Sequence, residues 1–446
     1  MVAMRITVIG AGYLGATHAI CMARCGHEVL AVDTQQRRVD ELEAGRLPFY
    51  EPGLGELLAT EREAGRIHWT TDYQQAAEFA RLHFITVGTP QVKGGFATDV
   101  SAVRDVVSDL VPRLSGRHLL VGKSTVPVGT ASELQVLADL LVGDDAEVDV
   151  CWNPEFLREG RAVADTLHPD RIVVGSRTGS AAVEALREVY REQIAEGIPF
   201  LETDVATAEL VKTAANAFLA TKVSFINAVA DVCEAGGANI AELTTALGLD
   251  PRIGSKFLHA GLGFGGGCLP KDLRGFMARA NELGADHAAR FMREVDSVNR
   301  NRRSRVVDDV AALVPDGLAG ARVCVLGAAY KPNSDDVRDS PALAAAGALS
   351  LRGADVVVVD PRATANARRA FPTLAYPETL EEALGGADVV VLATEWREYQ
   401  EIDPEWAGGL VRRRCVVDAR GALPAADWLA AGWTLRAVGR GLVKAR

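Results

Sequence analysis

The sequence predicts an α/β protein with two doubly wound parallel-sheet domains, joined by a long central helix and further helical sequence. Short β-branched apolar runs alternate with helical segments near the N-terminus, as in "RITVIGAG", "HEVLAVD" and "LHFITVGTP". The same alternation returns near the C-terminus, as in "ARVCVLGAAY", "ADVVVVDP" and "ADVVVLATEW". Between the two lies a long helical pattern without a strand break. Such alternation is typical of parallel sheets with helices on both faces.

The first domain is expected over residues 1–203. Its further strand-like runs are "HLLVGKSTVP", "VDVCWNPEF" and "RIVVGS". The last domain is expected over residues 315–446, where "CVVDARG" adds a fourth strand. Both ends of the chain therefore read as Rossmann-like units.

The middle domain, residues 204–314, begins with the pattern "DVATAELVKTAANAFLATKVSFINAVADVCEAGG". Asp204 is expected to cap this helix, and Gly236 with Gly237 to end it. At about 1.5 Å per residue the helix would be roughly 45–50 Å long. A helix of this length and apolar character is typical of a spine between domains and of a dimer surface, which favours a homodimer. More helical sequence follows, up to about Val314.

Composition restricts the classes of partner. The 446 residues carry a net charge of −11, which argues against a nucleic-acid binder and an anionic-membrane binder. The chain shows neither a signal peptide nor an apolar run of about 18 residues, so we expect no membrane span. Seven scattered cysteines are typical of reduced thiols in the cytoplasm. The cysteines and histidines show no metal-ligand spacing, and no metal is expected.

The stretch "GAGYLG" follows the first strand and opens a helix. In a dinucleotide-binding turn Gly10 makes the bend, Gly12 admits the pyrophosphate, and Gly15 lets helix and strand pack closely. Asp33 ends the next strand and is placed to bind a ribose diol, which favours NAD over NADP. Arg38 is expected near the ribose or the adenine. The sequence therefore predicts NAD as cofactor.

The stretch "GLGFGGGCLPKD" contains several glycines, which raises the question of what must approach the backbone so closely there. One interpretation is a flexible loop with a bystander cysteine. The other is a reactive thiol, Cys268, which adds to an aldehyde and carries it to a thioester. In that case the glycines make room for substrate and nicotinamide, and Lys271 holds the thiolate or contacts the cofactor.

Three further groups suit this chemistry. "NPEFLREG" places Glu155 and Glu159 four residues apart, either for proton transfer or as a solvated pair at a helix start. "ELVKTAANAF" places Lys212 and Asn216 one helical turn apart, either to stabilise an oxyanion or as ordinary helix residues. "KSTVPVGT" offers Thr125 at a strand end, beside the cofactor or in a simple turn.

The last domain contributes "GAAYKPNSDDVRDSP", with Lys331 and Arg338 beyond a strand's carboxyl end. Their charge suits pyrophosphate oxygens. Asp335 and Asp336 are expected to cap a helix rather than to bind a metal. Arg420 follows another strand, in "VVDARG".

Together these motifs resemble the UDP-glucose/GDP-mannose dehydrogenase family over essentially the whole chain, in the family's order. The resemblance implies oxidation of a nucleotide-sugar C6 hydroxyl to a carboxylate with two NAD. UDP-glucose is favoured by the block "RIGSKFLHAGLGFGGGCLPKD". Other nucleotide sugars, or a catalytically silent binding protein, are the alternatives.

The resemblance implies a role for each matching residue. The catalytic set is Cys268 as nucleophile, Lys212 and Asn216 for the oxyanion, and Thr125, Glu155 and Asp272 for water and proton transfers. The expected cofactor contacts are Gly10, Gly12, Tyr13, Leu14, Gly15, Asp33, Arg38, Thr89, Pro90, Ser124, Thr125, Glu159, Lys271 and Arg338. The expected substrate contacts are Glu155, Phe156, Leu157, Arg158, Lys212, Asn216, Arg252, Phe257, Leu258, His259, Gly261, Gly263, Phe264, Gly265, Lys331 and Arg420.

Two further points come from the resemblance. Arg252 matches an arginine that reaches the neighbouring subunit's substrate, which implies a functional dimer built on the long helix. Gly267 stands where the family commonly has serine before the nucleophile, which bears on substrate fit.

Overall fold

The computed structural model of the chain describes residues 3–443. Two β-sheets, of eight and six strands, are separated along the chain by a long helical region. The strands of the first sheet are β1 (Arg5–Ile9), β2 (Glu28–Val32), β3 (Ile67–Thr70), β4 (Leu82–Ile85), β5 (Gly116–Gly122), β6 (Ala146–Trp152), β7 (Ile172–Gly175) and β8 (Phe200–Thr203). Those of the second are β9 (Arg322–Leu326), β10 (Asp355–Val359), β11 (Val389–Leu392), β12 (Cys415–Asp418), β13 (Thr434–Ala437) and β14 (Gly441–Val443).

The helices connect and flank these strands. Those before residue 204 are α1 (Tyr13–Arg24), α2 (Gln36–Glu43), α3 (Leu54–Glu63), α4 (Tyr73–Phe79), α5 (Ser101–Leu110), α6 (Thr130–Leu141), α7 (Ala162–Leu167), α8 (Ala182–Val189) and α9 (Arg191–Ala195). The central ones are α10 (Val205–Gly236), α11 (Ile240–Gly248), α12 (Leu269–Glu282) and α13 (Asp286–Ala311). The last are α14 (Pro341–Leu351), α15 (Thr364–Ala370), α16 (Leu380–Leu384), α17 (Arg397–Gln400), α18 (Pro404–Leu410) and α19 (Ala425–Ala430).

The first sheet has the order β3-β2-β1-β4-β5-β6-β7-β8. Every pairing is parallel except that of β6 with β7, where Trp152 faces Gly175. Its central strands, such as β4, are buried on both faces, because alternate residues such as Phe84 and Ile85 enter different apolar clusters. This confirms the doubly wound α/β prediction, and the strand order reverses between β1 and β4 as in dinucleotide-binding sheets.

The second sheet has the order β10-β9-β11-β12-β13-β14 and is parallel except for the last pairing. Its core contains the fully buried strands β11 and β12 and the aromatic pair Trp428 and Trp433, with ring centroids 4.7 Å apart. The prediction of a second α/β sheet is therefore confirmed.

The predicted central helix is α10, whose 32 residues give a length of about 48 Å. Asp204 Oδ1 accepts a hydrogen bond from the amide of Thr207 (2.8 Å), as expected of a cap. The sequence after α11 is less helical than predicted, because residues 249–268 form loops before α12 begins.

By compactness the chain divides into two units. One holds the described residues up to Ala215 together with Arg274–Leu283, and the other holds Asn216–Leu273 and the described residues from Gly284 onward. The division into domains 1–203, 204–314 and 315–446 stays a prediction. No helix in the described part of the chain is long and apolar enough to cross a membrane.

Candidate active site

The turn after β1 has the geometry of a phosphate-binding loop. Gly10 has φ +101°, in the region that favours glycine. A side chain at Gly15 would collide with the carbonyl of Gly10 and the hydroxyl of Thr86, so α1 packs directly on the strand. A side chain at Gly12 would meet nothing within 4 Å, so the backbone there lies open just before α1 begins. These residues fit the pyrophosphate of a dinucleotide.

Asp33 follows β2 and is 6% exposed. Its Oδ2 accepts hydrogen bonds from the amide of Ala11 (2.8 Å) and from Arg38 Nη1 (2.7 Å), and its Oδ1 accepts one from the amide of Gln35 (2.9 Å). Arg38 therefore forms a direct ion pair with the Asp33 carboxylate. The position at the end of the second strand is the one expected for a ribose ligand, and that role stays a prediction.

Tyr13 is held by a residue that sequence reasoning missed. Its hydroxyl donates to Glu51 Oε2, which also accepts from the amide of Gly160 (2.6 Å), while Oε1 accepts from Ala162 (2.7 Å). Burial and the Glu51 carboxylate raise the pKa of Tyr13 above its usual range. Leu14, beside it, is half-buried. Glu51 thus ties the dinucleotide turn to the "NPEFLREG" segment, and no local pattern around it signals this.

The ends of β4 and β5 are joined by hydroxyl groups. Thr89 Oγ1 donates to the carbonyl of Thr125 (2.7 Å), and Ser124 Oγ donates to the carbonyl of Val87 (2.7 Å). Thr125 is half-buried and Pro90 is exposed. These residues therefore share one edge of the sheet, the edge at which open α/β sheets bind ligands.

Glu155 and Lys212 form a buried ion pair. Lys212 Nζ lies 2.9 Å from Glu155 Oε1, and the two side chains are 5% and 11% exposed. Glu155 Oε2 accepts a hydrogen bond from the amide of Leu157 (2.7 Å), and the Phe156 ring centroid lies 5.6 Å from Lys212 Nζ. The pairing brings together two predicted residues that are 57 positions apart in the sequence.

The rest of "NPEFLREG" is irregular rather than the start of a helix, since α7 begins only at Ala162. Arg158 donates two hydrogen bonds to Asp165, at 2.8 and 2.6 Å. Glu159 is half-buried in the turn. The alternative of a solvated acidic pair at a helix start is therefore wrong, because the Glu155 side chain is only 11% exposed and the segment is a loop.

In the second unit, Asn216 Nδ2 donates to Asp272 Oδ2 (2.6 Å), and Lys271 Nζ lies 2.6 Å from Asp272 Oδ1. Both Asn216 and Asp272 are buried. Each oxygen of the carboxylate thus has a nitrogen partner. Lys212 lies one turn before Asn216 on the continuous helix α10.

Cys268 is the one exposed thiol among seven cysteines. It precedes α12, and its carbonyl accepts a hydrogen bond from the amide of Asp272 (2.8 Å). Helix N-termini favour the thiolate form of cysteine. Burial, by contrast, raises the pKa of Cys25 to about 11.

The loop before Cys268 is braced by buried amides. The amide of Gly261 donates to Asn227 Oδ1 (2.8 Å), and the amide of Phe264 donates to Asn299 Oδ1 (2.7 Å). Asn299 Nδ2 returns a hydrogen bond to the carbonyl of Phe264 (3.0 Å). The loop is therefore fixed rather than flexible, contrary to the first interpretation of its glycines.

The glycines of this loop allow other parts of the protein to pack closely against its backbone. A side chain at Gly263 would collide with Asn299, and side chains at Gly265 and Gly266 would come within 2.6–2.9 Å of atoms of the 330–341 segment. We predicted that the glycines make room for substrate and nicotinamide. At these three positions the close approach is instead to the protein itself.

The upstream part of the expected substrate loop has mixed exposure. Leu258 is buried and His259 is exposed. Phe257 has φ +62°, which is uncommon for a bulky residue. The substrate roles of this segment stay predictions.

Arg338 lies over Gly267, where its guanidinium occupies the space that a side chain would need. Asp336 accepts hydrogen bonds from Arg338 Nη2 (2.8 Å) and from the amide of Gly267 (3.3 Å). The expectation that Asp336 and Asp335 cap a helix is wrong, because Ser340 caps α14 and Asp336 instead bridges two loops.

Arg420 and Lys331 flank Tyr330 in the second unit. Arg420 Nη2 donates to the carbonyl of Tyr330 (3.0 Å), and its Nε donates to the carbonyl of Ala393 (2.7 Å). Lys331 Nζ lies 5.3 Å from the Tyr330 ring centroid. Both cations thus lie beyond strand ends, as predicted. Arg252 differs: its side chain is 87% exposed and pairs with Asp250 (2.6 Å).

A second group that the sequence did not reveal lies beneath Glu155. Lys123 is buried and donates to Asn153 Oδ1 (2.9 Å) and Tyr190 Oη (3.1 Å). Asn153 belongs to the "NPEFLREG" segment and Lys123 to "KSTVPVGT", but no sequence pattern links either residue to Tyr190. Among residues 3–443 no three His, Cys, Asp or Glu side chains are grouped to hold a metal ion.

Comparison with known proteins supports one family across the chain. Residues 4–194 match the UDP-glucose/GDP-mannose dehydrogenase family, NAD binding domain; residues 206–301 match its central domain; and residues 324–425 match its UDP binding domain.

Whole-chain relatives agree with these matches. The chain is 39% identical over 438 residues to a UDP-glucose 6-dehydrogenase of Rhizobium meliloti, covering 98% of this chain and 100% of the relative. It is similar to a solved UDP-glucose dehydrogenase from Pyrobaculum islandicum, with a TM-score of 0.87, 36% identity, and coverage of 94% and 95%. A UDP-D-ManNAc dehydrogenase from Pyrococcus horikoshii shares the fold, with a TM-score of 0.86, 24% identity, and coverage of 98% and 100%.

The match of each successive domain, and a relative at 39% identity over nearly the full length of both chains, agree with the resemblance drawn from the motifs. This chain belongs to the UDP-glucose/GDP-mannose dehydrogenase family and is an NAD-dependent nucleotide-sugar dehydrogenase.

Proposed function

We propose that the protein oxidises the C6 hydroxyl of UDP-glucose to the carboxylate of UDP-glucuronate, in two successive oxidations. The observation that carries this proposal is the exposed thiol of Cys268, placed one turn before a buried carboxylate, Asp272. A simple alcohol oxidation needs no thiol, whereas oxidation of an aldehyde to an acid uses one. When bound, NAD accepts a hydride in each oxidation.

Atoms and electrons are conserved at each step of the proposed chemistry at Cys268. The alcohol loses a hydride and a proton to become an aldehyde. The Cys268 thiolate then adds to the aldehyde carbon, and the oxyanion takes up a proton to give a thiohemiacetal. Loss of a second hydride and a proton leaves a thioester. Water attacks this carbonyl, the C–S bond breaks, and the carboxylate and the thiol are released.

Lys212 and Asn216 are proposed to stabilise the oxyanion that forms when the carbonyl is attacked. They lie one turn apart on α10, and each already donates to a carboxylate, Lys212 to Glu155 and Asn216 to Asp272. Donors fixed in advance in a site without water stabilise developing charge strongly. Asp272, with Glu155 and Thr125, is proposed to orient water and to accept protons.

The substrate's pyrophosphate is assigned to the cations Lys331 and Arg420, and the cofactor's to Arg338 and the turn at Gly12. The match of residues 324–425 to a UDP binding domain supports a uridine nucleotide. The loop 257–265 and the segment 155–158 are proposed to line the sugar.

A homodimer through the central helical region is also proposed. Three apolar side chains at seven-residue spacing on α10 are exposed: Phe218 (65%), Phe225 (56%) and Val232 (70%). An exposed apolar stripe of this kind is typical of a helix that packs on a partner. Arg252, exposed in the single chain, is proposed to reach the partner's substrate.

The alternative is the same chemistry on another nucleotide sugar, such as GDP-mannose, UDP-N-acetyl-mannosamine or a thymidine-nucleotide sugar. Relatives named as UDP-glucose 6-dehydrogenases, at 39% and 36% identity over 98% of this chain, favour UDP-glucose. The substrate is decided by turnover of purified nucleotide sugars, and poor use of UDP-glucose would contradict the proposal. A cytoplasmic location stays a prediction.

The thiol is tested by Cys268→Ser. Overall turnover is expected to fall by about three orders of magnitude or more, with an ester-linked sugar detected by mass spectrometry of the intact protein. Cys415→Ser, at a buried thiol in β12, is the matched control and is expected to keep its activity. Full activity of Cys268→Ser would remove the thiol from the mechanism.

A further inference from the structure

Lys123 is a buried ammonium that the chemistry above does not use. It follows β5 and is 7% exposed. Its Nζ lies 2.9 Å from Asn153 Oδ1, 3.4 Å from the Asn153 carbonyl and 3.1 Å from Tyr190 Oη. All three partners are uncharged oxygens. Burying a cation against neutral partners is costly, so its retention calls for an explanation.

Lys123 fixes the start of the segment that carries Glu155. Asn153 receives two contacts from Lys123 and donates its own amide to the Gly122 carbonyl (2.8 Å) and its Nδ2 to the Val173 carbonyl (2.8 Å). Pro154 follows without an amide hydrogen, and Glu155 is next. The orientation of Glu155 therefore depends on how Asn153 is held.

The charge of Lys123 also acts on Glu155. Both residues line a cavity of about 50 Å³, together with His18, whose buried Nε2 lacks a hydrogen-bond partner within the described residues. Charges that share a poorly solvated space interact with little screening. The carboxylate of Glu155 thus lies in the field of two ammonium groups, Lys123 and its direct partner Lys212.

Titration of Lys123 reflects these neighbours. Burial lowers its pKa to about 8, Glu155 and Cys151 raise it, and Lys212 lowers it further. The titratable or charged groups around Lys123 are Cys151 on β6, Glu155 after β6, Tyr190 after α8, Lys212 on α10 and His18 on α1. Asp165 on α7 and Arg171, just before β7, line the same cavity. Burial lowers the pKa of His18 well below its usual range, so it remains neutral.

We propose that Lys123 is a positioning residue for the oxidation: it holds the Asn153–Glu155 turn and so orients the Glu155 carboxylate toward Lys212. The proposal rests on the role given to Glu155 in the proposed function. The hydrogen bonds of Lys123 go to Asn153 and Tyr190, so its effect on the reaction is transmitted through Glu155.

The kinetic test compares Lys123→Met with the wild type across pH, using the best nucleotide sugar of the panel. We expect kcat to fall about tenfold or more while KM for NAD changes by less than about twofold. A decrease of the wild-type rate as pH rises through about 8, where Lys123 loses its proton, should be missing from the profile of Lys123→Met. Lys93→Met, at an exposed lysine of the same unit, should leave rate and profile unchanged.

A second test needs no activity. The chain has eight lysines, so 13C labelling at lysine Cε gives few resonances. The one from Lys123 is identified by its loss in Lys123→Met or, if that variant does not fold, in Lys123→Arg. In the wild type this resonance should titrate near pH 8. In Glu155→Gln it should titrate about one pH unit lower, because an attracting carboxylate has been removed.

The possible outcomes distinguish failure of the proposed function from failure of the inference about Lys123. If the wild type oxidises no nucleotide sugar, the proposed function fails, and the lysine titration still decides the coupling. An unchanged kcat and an unchanged pH profile in a folded Lys123→Met would overturn the inference. If that variant does not fold, a Lys123 resonance that titrates alike in the wild type and in Glu155→Gln would overturn it.

Discussion

Glu209 links the start of α10 to the loop that carries Thr125, and its titration should control stability. The side chain is 2% exposed. Its Oε2 accepts a hydrogen bond from the amide of Gly129 (2.7 Å), and its Oε1 accepts one from the amide of Ala131 (2.6 Å), at the N-terminus of α6. Burial raises the pKa of Glu209 to about 7, against an opposing effect of these amides and of Arg279.

The size of this effect on the unfolding free energy follows from the linkage between proton binding and folding. The ordinary value for this carboxyl is 4.5, and the folded value is about 7. Because the folded state holds the proton more tightly, the contribution to stability is complete below pH 4.5 and is lost as pH rises through about 7. At about 1.4 kcal/mol per pH unit, the loss amounts to roughly 3 kcal/mol.

Glu209→Gln keeps the shape of the side chain and removes its titratable carboxyl group. Urea unfolding of both proteins between about pH 4.5 and about pH 8 gives the difference in unfolding free energy, in which other groups cancel. We expect the wild type to lose about 3 kcal/mol relative to the variant over this range. Glu133→Gln, at an exposed residue of α6, should show no such trend. A difference between wild type and Glu209→Gln that does not change with pH would refute the reasoning.

Three further variants test other parts of the account. Asp33→Asn should lower the preference for NAD over NADP about tenfold, measured as the ratio of kcat/KM values, because the acid that repels a 2′-phosphate is lost; an unchanged ratio would remove Asp33 from cofactor choice. Phe225→Glu should convert a dimer to a monomer, as measured by light scattering. Leu351→Glu, at a 91% exposed site, should leave the dimer intact. If both variants are dimers, the interface lies elsewhere. Gly267→Ser should raise KM for NAD several-fold with little change in kcat, because the new side chain displaces the Arg338 guanidinium; unchanged constants would contradict that arrangement.

Much of the fold could be predicted because the central strands are continuous apolar runs. β1, β2, β4 and β9 to β12 all lie within stretches recognised from sequence. The strands that were missed are β3, β8, β13 and β14. β8, for example, reads "FLET" with no buried residue, and β14 has three residues. Short outer strands such as β8 are held by backbone pairing with a neighbour, so their own side chains carry little signal.

The candidate site could be predicted only where a local motif marks it. The glycines of the dinucleotide turn and the spacing of Lys212 and Asn216 are local patterns. Glu51, Lys123 and Tyr190 depend on contacts across 30 to 111 positions, as between Lys123 and Asn153 or Glu51 and Ala162. No short-range pattern encodes such contacts, because burial and hydrogen bonding are decided by how the elements pack.

The central claim is a four-electron oxidation, and it is tested most directly by counting NADH formed per UDP-glucose consumed, with the product identified by mass. The account predicts two NADH for each sugar and a carboxylate product, with no aldehyde released. One NADH per sugar with an accumulating aldehyde would contradict the role of Cys268. No NADH from UDP-glucose, but two from another nucleotide sugar, would contradict the proposed substrate while retaining the chemistry.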